Sequence, residues 1–217
     1  MIGAVIAMQS EAEILISQMN TKKQETKYGK QCYVGTAFNK DVVVIICGVG
    51  KVNAALGVQL AISEYKVDKV LNFGVAGGLD SSTKLCNIYA IEKSVQFDFD
   101  LTQLNGTKIG TLDECQENYL TLSTVNGYET RNLGTSDRFN DSKADYELLT
   151  RELNANIRDM EGGAIVQGAW KAGLPVYSFK AISDVAGSGS TTEQYLKNRG
   201  IALENLKKEL KNIFNAL

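Results

Sequence analysis

The chain has 217 residues, 44% of them hydrophobic and 22% charged, enough to close one core without disulfides or a structural metal. Lys plus Arg number 23 against 25 Asp plus Glu, a net charge of −2, so no basic excess exists to neutralise phosphates and no nucleic-acid partner is expected. Histidine is absent, which excludes Ser-His-Asp and Cys-His nucleophiles and His-ligated metals and leaves acid–base chemistry to carboxylates, Lys, Tyr or Cys.

Ile2–Ala7 is a continuous apolar run rich in β-branched residues and reads as a strand buried on both faces. It has no basic leader or cleavage site, and no apolar run in the chain reaches membrane-spanning length. A soluble, cytoplasmic protein with no membrane partner is the expectation. Gln9–Met19 follows helical spacing. Val42–Cys47 is a second buried strand, turned by Gly48-Val-Gly-Lys51 into a helix over Val52–Glu64. Lys69–Phe73 is a third strand, ending in the turn Gly74-Val-Ala-Gly-Gly78, and Ile88–Val95 a fourth. The polar stretch Leu101–Asn132 has no clear period beyond a short strand over Tyr119–Thr124. Arg158–Lys171 is helical by pattern, Val176–Ile182 is a strand, and Gln194–Leu217 is a long amphipathic helix. Strands alternating with helices, with a single proline and no linker, predict an α/β fold in one domain over residues 1–217. Its centre is a mostly parallel, mixed sheet flanked by helices. The four cysteines show no CxxC spacing and read as buried free thiols in a reducing compartment.

Ligands of open α/β sheets bind past the carboxyl ends of the strands. Four segments fall there: Met8–Glu11, Gly48–Lys51, Gly74–Gly78 and Ser183–Ala186. Gly48-Val-Gly-Lys51 is not a Walker loop, because Val52 follows the lysine, and Asn53 stands where the dinucleotide fingerprint needs a third glycine. Its first reading is a structural turn. Glu11, Glu161 and Asp184 are the charged candidates at this edge. Any one of them alone reads as a solvated helix-terminal carboxylate. Together they supply acid and base.

Six segments occur in a telling order: Ala7-Met-Gln-Ser-Glu11, Cys47-Gly-Val-Gly-Lys51-Val-Asn-Ala-Ala-Leu, Asn72-Phe-Gly-Val-Ala-Gly-Gly-Leu79, Ser136-Asp-Arg-Phe139, Asp159-Met-Glu-Gly-Gly-Ala-Ile165 and Ala181-Ile-Ser-Asp-Val-Ala186. In them the chain resembles the nucleoside phosphorylase/nucleosidase superfamily, and most nearly the methylthioadenosine/S-adenosylhomocysteine nucleosidases. The resemblance implies a three-layer fold, a purine nucleoside as the small-molecule substrate, a homodimer, a place in methionine salvage, and no cofactor or metal. It implies that Asp184 protonates the purine N7, with Ser183 orienting it. Glu11 would activate water, Glu161 would hold the ribose hydroxyls, and Met160 would pack on the sugar. Phe139 would stack on the base, while Ala76 and Gly77 would line base and ribose through their main chain. Protonating N7 neutralises the purine leaving group, and a carboxylate near the sugar answers the oxocarbenium charge, so no histidine is required.

Phosphorylases of this superfamily carry arginines in the first loop and on the third strand. Here those places hold Glu11 and Asn72, and a carboxylate repels a phosphate dianion. Hydrolysis is the expected reaction. Phosphorolysis, hydrolysis of another nucleoside, or a catalytically silent nucleoside-binding domain are the alternatives. Val75 stands where the nucleosidases have Ser or Thr, and the stretch 100–136 is shorter than theirs. Thr192, after a Gly-Ser-Gly-Ser run that reads as a lid or a plain loop, stands where they place a Phe over the 5′ group. These departures leave the 5′ substituent open. Phe97-Asp-Phe-Asp100-Leu-Thr102 resembles a dimer-contact stretch.

Overall fold

The computed structural model describes residues 1–112, 114–139 and 142–217. In chain order the elements are β1 (Ile2–Ile6), α1 (Gln9–Ile16), β2 (Asn20–Lys27), β3 (Lys30–Ala37), β4 (Lys40–Ile46), α2 (Lys51–Tyr65), β5 (Lys69–Gly78) and β6 (Ile88–Gln96). There follow α3 (Thr102–Asn105), β7 (Leu120–Thr121), β8 (Thr130–Thr135), α4 (Lys143–Glu147), a π-helical turn over Leu148–Glu152, β9 (Ile157–Asp159), α5 (Gly162–Lys171), β10 (Val176–Val185) and α6 (Thr191–Ala216).

β1 shows how the core is divided. Every residue of it is buried. Ile2, Ala4 and Ile6 pack with α1 and α6, whereas Val5 packs with α2 and α5. Residues two apart share a face, so this one strand serves both apolar layers. The sheet is mixed and runs in the order β10-β6-β8-β9-β5-β1-β4-β3-β2. Its centre is parallel, with β1 between β4 and β5 and β10 beside β5. Antiparallel pairing enters at β2–β3–β4, β6–β10, β6–β7 and β5–β9. Because β10 pairs with both β5 and β6, the strands β5, β10, β6, β8 and β9 close into a ring, and the sheet is partly closed.

Several segments differ from the sequence reading. Gly74–Gly78 is strand rather than turn, because β5 pairs with β10 along one edge and with β9 at Gly77 and Gly78. Pairing on both sides overrides the low strand propensity of glycine. Ser183–Val185 likewise belongs to β10, and Ile157–Asp159 is strand, so α5 starts only at Gly162. α1 stops at Ile16, three residues before Met19. α6 begins at Thr191 because the Ser190 hydroxyl accepts from the Glu193 N–H at its N-terminus. Of the β2–β3–β4 meander, only β4 was read as a strand, over Val42–Cys47; β2 and β3 escaped the reading. β2 is polar on both sides, and the turns run through Tyr28 (φ 49°), Gly29 (φ 74°), Phe38 (φ 48°) and Asn39 (φ 65°). These are two-residue connections with both angles positive, yet two of the four residues are aromatic, and such turns favour Asn, Asp and Gly. All four cysteines are free; Cys32 and Cys47 are buried, but Cys86 and Cys115 are only half-buried, contrary to expectation.

Candidate active site

The carboxyl ends of β1, β5 and β10 meet beside β9, and the candidate carboxylates gather there. Glu11 sits in the first turn of α1. Its Oε1 accepts from the Val75 N–H of β5 at 2.9 Å, and its Oε2 from the Met8 N–H at 3.3 Å. Room for it comes from Gly74, where a Cβ would lie 2.5 Å from Oε1. Burial pushes the Glu11 carboxyl up; the two N–H groups and the Lys180 ammonium oppose that push.

Glu161 stands immediately before α5, and its Oε1 accepts from the Gly50 N–H at 2.7 Å. Gly50 (φ 96°) presents that N–H because the turn after β4 needs a conformation that side chains disfavour. So the Gly48–Lys51 turn both starts α2 and reaches the site. Burial, followed by the nearby Asp159 carboxylate, pushes Glu161 up to about 7. Asp159 is itself held on three sides. It accepts from Thr135 Oγ1 at 2.6 Å and from the Gly162 N–H at 2.9 Å, and pairs with Lys180 Nζ of β10 at 2.8 Å.

Asp184 is aimed by an irregularity in β10. The ladder to β5 matches Ile182 with Ala76 and then Asp184 with Gly77, leaving Ser183 as an extra residue. A bulge of this kind re-aims the side chain that follows. The Ser183 hydroxyl donates to Asp184 Oδ1 at 2.8 Å. A Cβ on Gly77 would fall 2.9 Å from Asp184 Oδ2 and 3.2 Å from Arg158 Nε, so bare backbone, carboxylate and guanidinium crowd together here.

These groups line one cavity of about 370 Å³. All eight candidate residues reach it: Glu11, Ala76, Gly77, Phe139, Met160, Glu161, Ser183 and Asp184. Glu11, Glu161 and Asp184 are 4%, 9% and 2% exposed, so none is the solvated helix-terminal carboxylate of the alternative reading. Phe139 meets Tyr195 edge-on, with ring centroids 5.8 Å apart, and Val49 and Leu196 extend this apolar side. Val75 and Thr192, two of the departures from the nucleosidase pattern, also face the cavity. Asn72 does not. Its amide donates to Val5 O and accepts from Ser178 Oγ, a cross-tie between strands.

The sequence reading missed Arg158, Asp159, Lys180 and Tyr195. The signal for two of them was present: Lys180 is the one charged residue in the strand read over Val176–Ile182, and Asp159 opens the very segment that contains Glu161. A buried charge needs a partner. Cys47 is no nucleophile, since burial and then the Glu161 charge push its thiol up to about 12. Among the described residues no group of three or more His, Cys, Asp or Glu is arranged to hold a metal ion. No helix among them is long and apolar enough to cross a membrane.

A mixed, partly closed sheet between two helical layers, with carboxylates buried around one cavity at its strand ends, defines an α/β protein built to hold and act on a small polar molecule. The chain belongs to the phosphorylase superfamily, whose family model matches residues 1–215. It is 31% identical over 221 residues to the 5′-methylthioadenosine/S-adenosylhomocysteine nucleosidase of Halalkalibacterium halodurans, covering 94% of this chain and 95% of that one. Among solved structures, the nucleosidase of Colwellia psychrerythraea in complex with adenine is similar at a TM-score of 0.90 and 26% identity, covering 100% of this chain and 95% of that one. The futalosine hydrolase of Helicobacter pylori strain 26695 shares the fold at a TM-score of 0.91 and 24% identity, with 100% and 97% covered.

Proposed function

We propose that this protein hydrolyses the N-glycosidic bond of a purine nucleoside of the 5′-methylthioadenosine/S-adenosylhomocysteine type, a reaction of methionine salvage. One observation carries the reading: three buried carboxylates, Glu11, Glu161 and Asp184, converge on one nucleoside-sized cavity. The names of similar proteins supply the substrate class.

In this reading the electron pair of the C1′–N9 bond leaves with the purine, and Asp184 gives N7 a proton so that the base departs neutral. The Ser183 hydroxyl fixes the orientation of that acid. As the water oxygen bonds to C1′, its proton passes to Glu11, and a carboxylate made more basic by burial suits that task. Glu161 holds the ribose hydroxyls with the lone pairs that Gly50 leaves open, and Met160 packs on the sugar. Phe139 stacks on the base, while Ala76 and Gly77 offer main chain to base and ribose. Water is favoured over phosphate because Glu11 lies where a dianion would have to sit, and no cofactor takes part. The apolar side at Val49, Tyr195 and Leu196 suits an apolar 5′ group.

We also read the working form as a cytoplasmic homodimer of a single-domain chain. Val49, Val52 and Leu56 leave an exposed apolar strip on and before α2, and the Lys51–Asp98 ion pair ties that strip to Phe97–Thr102.

The test is chromatographic detection of free base from a panel of purine nucleosides, with and without phosphate. Adenine released from the 5′-thio nucleosides without phosphate is the expected outcome, and release only with phosphate would overturn hydrolysis. In the same assay Asp184→Asn lowers kcat by about 10²–10⁴ and leaves KM nearly unchanged. A variant retaining full rate removes Asp184 as the acid.

A further inference from the structure

At the cavity wall, where Asp159 stands with Glu11 and Glu161, lies an ion pair that the mechanism above does not use. Lys180 Nζ and Asp159 Oδ2 are 2.8 Å apart, with side chains only 4% and 3% exposed. Replacing a buried ion pair by apolar residues is often neutral or stabilising, so stability alone is a weak reason for this one. Its position offers a better reason. Lys180 lies on β10 four residues before Asp184, and Asp159 stands on β9 two residues before Glu161. Asp159 cannot swing away, because Thr135 Oγ1 and the Gly162 N–H occupy its two oxygens. Thr135 is fixed in turn by the Gly163 N–H, which donates to its hydroxyl at 2.8 Å.

We propose that Asp159 and Lys180 are positioning residues that set the charge carried by Glu11 and Glu161. The argument rests on the reading of these two glutamates given above, and it starts from a count of charges. Glu11, Asp159 and Glu161 are three buried carboxylates, and Lys180 is the buried ammonium whose field reaches all three. Without that cation, like charges this close force one another to take up protons. A protonated Glu11 cannot accept a proton from water, and a protonated Glu161 is a weaker acceptor for ribose hydroxyls. Asp159 has the complementary task. Its ion pair with Lys180 is the one ion pair of that lysine among the described residues. The ammonium is thereby kept from closing directly on Glu11 or Glu161, both of which line the cavity.

Burial alone would lower Lys180, but the Asp159 carboxylate, with Glu11 and Glu161 behind it, holds the ammonium above its ordinary range. The groups facing this cluster come from every element around it: Glu11 from α1, Cys47 after β4, Asp159 from β9 and Lys180 from β10. Arg158 and Asp184 line the same cavity around Gly77, and the Lys51, Asp98 and Asp137 cluster lies beyond the Gly50 turn.

The two partners make opposite predictions, which separates this role from a structural one. Asp159→Asn removes a negative neighbour and frees the ammonium for the glutamates, so both glutamates ionise at lower pH. Lys180→Met removes the cation, so both ionise at higher pH. Each shift is expected to be about one pH unit or more. The double variant returns toward the wild type, and Lys180→Arg keeps the wild-type titration. Two readouts are made on the whole protein. One is the pH profile of kcat/KM on the 5′-thio nucleosides; the other is direct titration of ¹³C-labelled glutamate carboxyls by NMR, assigned with Glu11→Gln and Glu161→Gln. Shifts of the same sign in the two single variants, or an unmoved titration in folded protein, overturn the proposal. If Lys180→Met does not fold, Asp159→Asn decides, and an upward or absent shift there is fatal. Should no nucleoside be cleaved while the carboxyl titrations still move in opposite directions, the pair keeps its role and the nucleosidase reading falls.

Discussion

Glu11 owes its place to an atom that is missing. Its carboxylate lies over Gly74, where even a methyl group would sit 2.5 Å from Oε1 and 2.9 Å from the carboxyl carbon. Gly74→Ala therefore leaves the apolar core alone and pushes Glu11 off its two N–H donors. Misplacing a reacting group by about 1 Å costs on the order of 10²-fold in rate. We expect kcat to fall by 10-fold or more with a melting temperature within a few degrees of the wild type. Steady-state kinetics beside a thermal melt checks this, and an unchanged kcat would show that the geometry of Glu11 is not limiting. Gly77 is the counterpart under Asp184, so two glycines of one strand make room for two carboxylates. In the sequence these glycines look like a turn. Only their pairing partners reveal that they are strand.

At the scale of elements, what could be read from the sequence was whatever has a strong period. β1, β4, α2 and the body of α6 were evident from continuous apolar runs or 3.6-residue spacing, β6 from a looser alternation, and the strand ends pointed to Glu11, Glu161 and Asp184. β2 was illegible because it is exposed and polar, β9 because three residues carry no period, and the Ser183 bulge because it exists only relative to β5. Lys180 and Asp159 went unread for a related reason: a charge pair joins two strands that the sequence does not place side by side. The start of α6 was legible but overlooked. Ser190-Thr-Thr-Glu193 has the spacing of a capping box, and Ser190 does accept from the Glu193 N–H. Those first turns carry Thr192, Tyr195 and Leu196 to the cavity. Ser190→Ala should cost about 1 kcal/mol, concentrated in the first turn. Faster amide exchange over 191–196 with a raised KM is the expected outcome, and exchange unchanged from the wild type would mean that the cap does not hold the wall.

For the whole molecule the buried carboxylates have a thermodynamic cost. Glu161 stands near 7 in the folded protein against 4.5 when unfolded, so between those values the unfolded chain has lost a proton that the folded chain keeps. The stabilising contribution is complete below about pH 4.5 and is lost as pH rises through about 7. The loss is on the order of 3 kcal/mol. Urea unfolding of the wild type and of Glu161→Gln at pH 5 and pH 7.5 tests the sign: the wild type should lose stability toward the higher pH and the variant should lose less. Equal slopes would mean that Glu161 is not the group responsible. A site that lowers the stability of its own protein near neutrality implies, on the proposed reading in which Glu161 holds ribose hydroxyls, that substrate binding returns some of it.

The bonds that frame the cavity join distant parts of the chain. Glu11 meets Val75 across 64 positions, Ser183 meets Ala76 across 107, and Gly50 meets Glu161 across 111. A ribosome making this protein has therefore released β1, β4 and β5 long before β10 exists to complete the pocket. The nascent chain can form half a sheet but no half-activity, and closing such long loops is slow. A backbone cut in the 79–87 connection between β5 and β6, by contrast, touches no residue of the cavity wall and would leave every wall in place as long as the two pieces remain associated.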